Sequence, residues 1–183
     1  MEKFFIKRQN TVLVIIDLQE KLLAAMNERN IVCNNTRLLL EAAHLFDIPV
    51  VITEQYPKGL GPTVQEIKEV LPEKYYFIEK TAFSAYTEEM QQTLSSIGKN
   101  TVIVTGSETH VCVFQTVRHL LEADYNVHVA LDAVCSRFSV NYHNGLDLMK
   151  EMGAVINNTE TILFDLLQRS GTPEFKKISP LLK

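Results

Sequence analysis

Apolar and polar positions follow two different periods along this chain. Near-continuous apolar runs fall at 12–16, 49–53, 75–78, 101–105, 127–131 and 154–156. Runs of that length without a polar face are what parallel strands buried on both sides require. Between them, apolar residues recur at helical spacing and predict helices over 19–26, 31–46, 63–70, 87–97, 110–123, 142–152 and 160–169. Within 110–123, Val113, Val117, Leu120 and Leu121 form one apolar stripe, the mark of a helix with a single buried face. The punctuation agrees. Gly98 and Gly153 each stand between a helix and the next strand, where a left-handed residue ends a helix. The turn Asp124-Tyr125-Asn126 has no glycine, so Asp124 or Asn126 is expected at positive φ.

This alternation predicts an α/β fold: a single three-layer doubly wound domain, with a six-stranded parallel sheet of order 3-2-1-4-5-6 and helices on both faces. No linker, repeat or low-complexity block divides the chain, so residues 1–183 read as one domain with its core at 10–168. The tail 171–183 reads as irregular, and its Phe175, Ile178, Leu181 and Leu182 as contacts for a neighbouring surface or subunit. Ligands of such sheets bind beyond the carboxyl ends of the strands, where strands one and four part. Asp17 closes the first strand, Cys112 follows the fourth and Lys80 closes the third.

A carboxylate, an ammonium and a thiol at three strand ends are the inventory of a nucleophilic hydrolase. Cys112 follows the glycine turn Thr105-Gly106-Ser107-Glu108-Thr109-His110-Val111. In the first turn of a helix it would face unpaired amides and the positive dipole end, which favour thiolate and can later hold an oxyanion. Taken singly, each residue also has a plainer reading. Cys112 could be a small core residue, Asp17 a helix N-cap and Lys80 a solvated surface lysine. Cys33 reads as structural packing, and Cys135 as packing, a pocket residue or a resolving thiol. The five histidines show no metal-ligand spacing.

Composition narrows the function classes. With 46% hydrophobic and 22% charged residues and a net charge of −4, the chain has no basic stripe for nucleic acid or an anionic membrane. No apolar run approaches the roughly 18–20 residues of a membrane span, and the N-terminal apolar stretch is short for a signal peptide. Three widely spaced cysteines make no disulfide framework. A reduced, cytoplasmic protein is the expectation.

Five ordered segments resemble the isochorismatase-like (cysteine hydrolase) family, which includes nicotinamidases and N-carbamoylsarcosine amidases. They are Asp17-Leu18-Gln19, Glu79-Lys80-Thr81-Ala82-Phe83-Ser84, Gly106-Ser107-Glu108-Thr109-His110-Val111-Cys112, Asp132-Ala133-Val134-Cys135-Ser136-Arg137 and Thr159-Glu160-Thr161-Ile162-Leu163-Phe164. The run Thr53-Glu54-Gln55-Tyr56-Pro57-Lys58-Gly59 is most similar to the isochorismatase-domain proteins. The resemblance implies Asp17, Lys80 and Cys112 as a catalytic triad. It also implies a cis peptide at Ser107–Glu108, with the oxyanion hole among Ser107, Glu108, Val111 and the Cys112 amide. By position near the strand ends, Gln19, Gln55, Tyr56, Phe83, Tyr86 and His110 are candidates for the substrate pocket. Two departures bear on chemistry. Metal-dependent nicotinamidases carry histidines after strand two, where this chain reads Glu54-Gln55-Tyr56-Pro57, so no metal and no other cofactor is expected. True isochorismatases do not use the cysteine, which is present here. The resulting expectation is a metal-independent cysteine hydrolase cleaving a C–N bond of a small-molecule substrate, as a homo-oligomer with no nucleic-acid or membrane partner. The alternatives are a non-enzymatic oligomeric binding protein on the same fold, or a redox sensor using Cys112 and Cys135.

Overall fold

The computed structural model describes residues 1–182. In chain order the elements are β1 (Thr11–Ile16), α1 (Glu20–Leu23), α2 (Arg29–Leu45), β2 (Val50–Gln55), α3 (Pro57–Leu60), α4 (Gln65–Lys68), β3 (Tyr76–Lys80), α5 (Glu88–Ile97) and β4 (Thr101–Ser107). A π-helical turn (Thr109–Val113) then runs into α6 (Phe114–Glu122), followed by β5 (Asn126–Cys135), α7 (Ser139–Glu151), β6 (Val155–Asn157), α8 (Thr159–Leu167) and α9 (Pro173–Ile178). The strands form one parallel sheet in the order β3-β2-β1-β4-β5-β6, as the alternation of elements predicts.

Helices cover both faces of the sheet's centre, which is why its central strands read as unbroken apolar runs, whereas on the edge strand β3 Tyr76 and Phe77 are exposed. On β1, Val12, Val14 and Ile16 pack with Met90 and Leu94 of α5, Val117 and Leu120 of α6 and Met149 of α7. Leu13 and Ile15 point the other way, into a cluster with Val32, Leu39 and Leu40 of α2 and Ile162, Leu163 and Leu166 of α8. Gly98, Gly153 and Asp124 have φ of 67°, 105° and 62°, the left-handed stops their positions require. Among the described residues no helix is long and apolar enough to cross a membrane.

Three expectations are corrected. The segments 19–26 and 63–70 shrink to the single turns α1 and α4, and the turn α3 follows β2 where no helix is predicted. The tail is not irregular. Thr172 accepts a hydrogen bond from the Phe175 amide, Pro173 occupies the first helical position, and α9 follows, the usual proline-led helix start. The tail's apolar side chains do meet a neighbouring surface, that of the α2–α8 cluster: Ile178 is buried and Phe175 and Leu182 pack there, while Leu181 is exposed.

The switch point is held by one close approach. Ile16 pairs with Gly106, and a Cβ on Gly106 would lie 2.0 Å from the Ile16 carbonyl oxygen at a φ of 132°. Only glycine satisfies both the space and the dihedral. The next residues on the two strands, Asp17 and Ser107, are thereby set side by side.

Candidate active site

Asp17 leaves β1 at a φ of 51°, which turns its side chain over the carboxyl edge of the sheet. It is not an N-cap, because α1 begins three residues later with Gln19 in the capping position. One carboxylate oxygen, Oδ1, accepts from Thr53 Oγ1 at 2.7 Å and the other, Oδ2, from Lys80 Nζ at 2.6 Å. Both side chains of this ion pair are fully buried. The Lys80 ammonium also faces Gln55 Oε1 at 2.8 Å, Phe83 O at 3.1 Å and Ala82 O at 3.3 Å. A buried charge is tolerable only with such replacement of its lost water.

Cys112 sits in the π-helical turn and is 6% exposed. Its thiol is pushed up to about 12, first by burial and then by the negative charge of Asp17 beside it. Lys80 and a backbone hydrogen bond at Glu108 pull the other way and are outweighed. Burial thus works against the thiolate that the helix-start argument favours. The dipole argument presumed a solvated helix start, whereas this sulfur lies buried in a π turn beside a carboxylate.

The remaining candidates are distributed unevenly around this centre. The Ser107–Glu108 peptide is cis, and Ser107 Oγ donates to the Asp17 carbonyl at 2.8 Å. The Val111 amide donates to the Glu108 carbonyl at 3.0 Å, so in this geometry it is turned away from an oxyanion. The Glu108 carboxylate accepts from Nε and the backbone amide of Arg137. Gln55 holds Lys80 and donates to Thr81 O at 2.8 Å. Gln19 is spent inside the protein: its amide nitrogen donates to Gln55 O and Gly61 O, and its oxygen accepts from the Gln55 amide. His110 Nδ1 shares a proton with Ser136 Oγ at 3.0 Å. Phe83 and Tyr56 are exposed, the latter left-handed with a φ of 38°. Tyr86 turns away from the site, its ring 6.4 Å from that of Tyr125, which precedes β5 at the opposite edge of the sheet. Thr53 was not among the sequence candidates, although its pairing with Ile16 follows from the predicted strand order. A cavity of about 280 Å³ shares Ser136 and is lined further by Ile31, Val32, Cys135, Tyr142, Glu28 and Asp132. Burial pushes the Cys135 thiol there up to about 12, with Glu28 and Cys33 adding to the effect.

Chemically, the centre brings a buried thiol beside a carboxylate that is ion-paired with a buried ammonium. The comparisons with known proteins bear on the family and the fold. The model of the isochorismatase domain matches residues 11–161. Isochorismatase domain-containing protein 2 of Danio rerio is 38% identical over 175 residues, which cover 95% of this chain and 87% of that one. The MAR1 ribonuclease structure from Caenorhabditis elegans superimposes with a TM-score of 0.92 at 38% identity, covering 97% of this chain and 92% of the other. The YcaC gene product of Escherichia coli, described as an octameric hydrolase of unknown specificity, shares the fold with a TM-score of 0.84 at 24% identity, over 90% and 83% of the two chains. The chain thus belongs to the isochorismatase family, on the hydrolase fold of that family.

Proposed function

We propose that this protein is a metal-independent cysteine hydrolase that cleaves a small amide or related C–N bond. The observation that carries the reading is the fully buried Asp17–Lys80 pair, with the negative charge of Asp17 bearing on the Cys112 thiol beside it. As Cys112 attacks the carbonyl carbon, its proton passes to Asp17, which becomes neutral. Asp17 then protonates the nitrogen as the C–N bond breaks, releasing an amine and leaving a thioester on Cys112. A water attacks the thioester and gives its proton to Asp17; the expelled sulfur regains a proton and the carboxylic acid departs. Lys80, 2.6 Å from Oδ2, holds the Asp17 carboxylate in place. The Cys112 amide is the proposed oxyanion donor, since Val111 is engaged elsewhere. Two features support metal independence: no histidine lies between β2 and His110, and Glu54 and Gln55 at the end of β2 are held by Thr63 and Lys80.

The C. elegans neighbour is described as a ribonuclease. A net charge of −4 disfavours RNA for this chain, because polyanion binding depends on clustered cations. A redox role for Cys112 and Cys135 is disfavoured because both thiols are buried, and oxidation follows solvent-accessible thiolate. The octameric E. coli neighbour supports a homo-oligomer, with exposed Phe138 and Val140 as candidate contacts; a single-chain mass by light scattering would count against it.

The test is ammonia or amine release from a panel of small amides and carbamoyl compounds, with RNA cleavage run in parallel. Cys112→Ala and Asp17→Ala should each lose turnover by about a thousandfold or more, and a chelator should leave the wild type unchanged. Turnover surviving in either variant, or RNA cleavage that requires Cys112, would overturn the reading. Absence of turnover on the whole panel would favour the binding-protein alternative.

A further inference from the structure

The apolar stripe of α6 carries one polar residue that the mechanism above does not use. Thr116 is completely buried. Its hydroxyl donates to the Cys112 carbonyl at 2.6 Å and accepts from the Ala85 amide at 2.8 Å. One turn on, His119 Nδ1 lies 2.9 Å from Ser84 Oγ, which in turn accepts from the Tyr86 amide. Positions 112, 116 and 119 share one helix face by their spacing, and that face is laid against residues 82–86. The same short segment supplies the Ala82 and Phe83 carbonyls that receive the Lys80 ammonium. A single hydroxyl therefore bridges the turn that carries the nucleophile and the loop that seats the cation.

We infer that Thr116 is a positioning residue for the Asp17–Lys80–Cys112 centre, locking the Cys112 turn to the Lys80 loop through its one hydroxyl. A threonine is suited to this because its hydroxyl can donate and accept at once, while its methyl group fills the apolar face. Valine would keep the shape and lose both bonds. The Ala85 amide would then be buried without its partner and the Cys112 carbonyl would lose its side-chain donor, so the turn and the loop would be free to separate. The inference rests on the proposed triad, so its test must tell the two apart.

The experiment is the pH profile of iodoacetamide alkylation at Cys112, followed by peptide mass spectrometry, with Cys33 and Cys135 as internal controls. In Thr116→Val the Cys112 sulfur gains solvent, so its profile should move to lower pH by at least half a unit. Its rate at pH 8 should rise about threefold or more, with both control cysteines unchanged and Thr116→Ser returning the wild-type curve. If Thr116→Val does not fold, Thr116→Ala carries the same prediction. A folded variant whose Cys112 curve superimposes on the wild type, or one in which all three cysteines accelerate together, overturns the inference. Asp17→Asn is the control for the triad. If it also leaves the Cys112 curve in place, the triad reading fails; if it moves the curve and Thr116→Val does not, only the coupling through Thr116 fails.

Discussion

Each charged side chain at the candidate site gives up water to be there, and what replaces that water differs from one to the next. Lys80 trades it for a carboxylate, a side-chain amide oxygen and two carbonyls. Asp17 trades it for Lys80 and the Thr53 hydroxyl. Removing one partner strands the other. Lys80→Ala should destabilise the fold by about 3–5 kcal/mol in urea unfolding, while the double change Asp17→Asn with Lys80→Met should cost less than the single one. A single-variant cost below about 1 kcal/mol would mean that the pair is solvated. Asp17, Lys80 and Cys112 are legible in the sequence because each closes or follows an apolar run. The charge on the thiol is not, because it depends on how deeply the sulfur lies and which way Asp17 turns. Both follow from backbone dihedrals, φ of 51° at Asp17 and the π turn at 109–113, which side-chain periodicity does not encode.

At the scale of elements, the placing of strands comes from burial on both faces, and the sequence carries that directly. The single turns α1, α3 and α4 are not legible because four residues carry no period, and their geometry is set by tertiary bonds such as Gln19 to Gly61. The start of α9 was readable, since Thr172-Pro173-Glu174 is a helix-opening pattern; its low apolar content masked it. The close packing of β1 on β4 is the element-level feature on which the site depends. Gly106→Ala would drive a methyl group to 2.0 Å from a backbone oxygen, a clash with no flexible side chain to absorb it. The expected result is loss of the cooperative melting transition or of soluble expression. A Gly106→Ala protein melting within a few degrees of wild type would show that β1 and β4 part more easily than their register implies.

For the whole molecule, the buried thiols and phenols predict how stability depends on pH. Cys112 and Cys135 are both raised to about 12, and burial also raises Cys33, Tyr86 and Tyr142. Between the ordinary thiol value near 9 and those raised values, the unfolded chain has released protons that the folded chain keeps. The unfolded state then binds fewer protons, so unfolding becomes easier as pH rises. Stability should be flat approaching pH 8 from neutrality and fall progressively above about 9. Cys112→Ser with Cys135→Ser should flatten that alkaline limb, and an unchanged limb would show that the thiols titrate alike in both states. On the proposed mechanism, the same proton inventory leaves Cys112 quiet at rest and dependent on Asp17 when a carbonyl arrives.

That dependence can be caught in the act. The Cys112-containing peptide should be weighed after acid quenching during turnover of whichever amide the release screen identifies, in wild type and in Cys112→Ala. The account predicts an added acyl mass on Cys112, removed by hydroxylamine as a thioester should be, and neither adduct nor turnover in Cys112→Ala. Steady amine release from Cys112→Ala at the wild-type rate would contradict it.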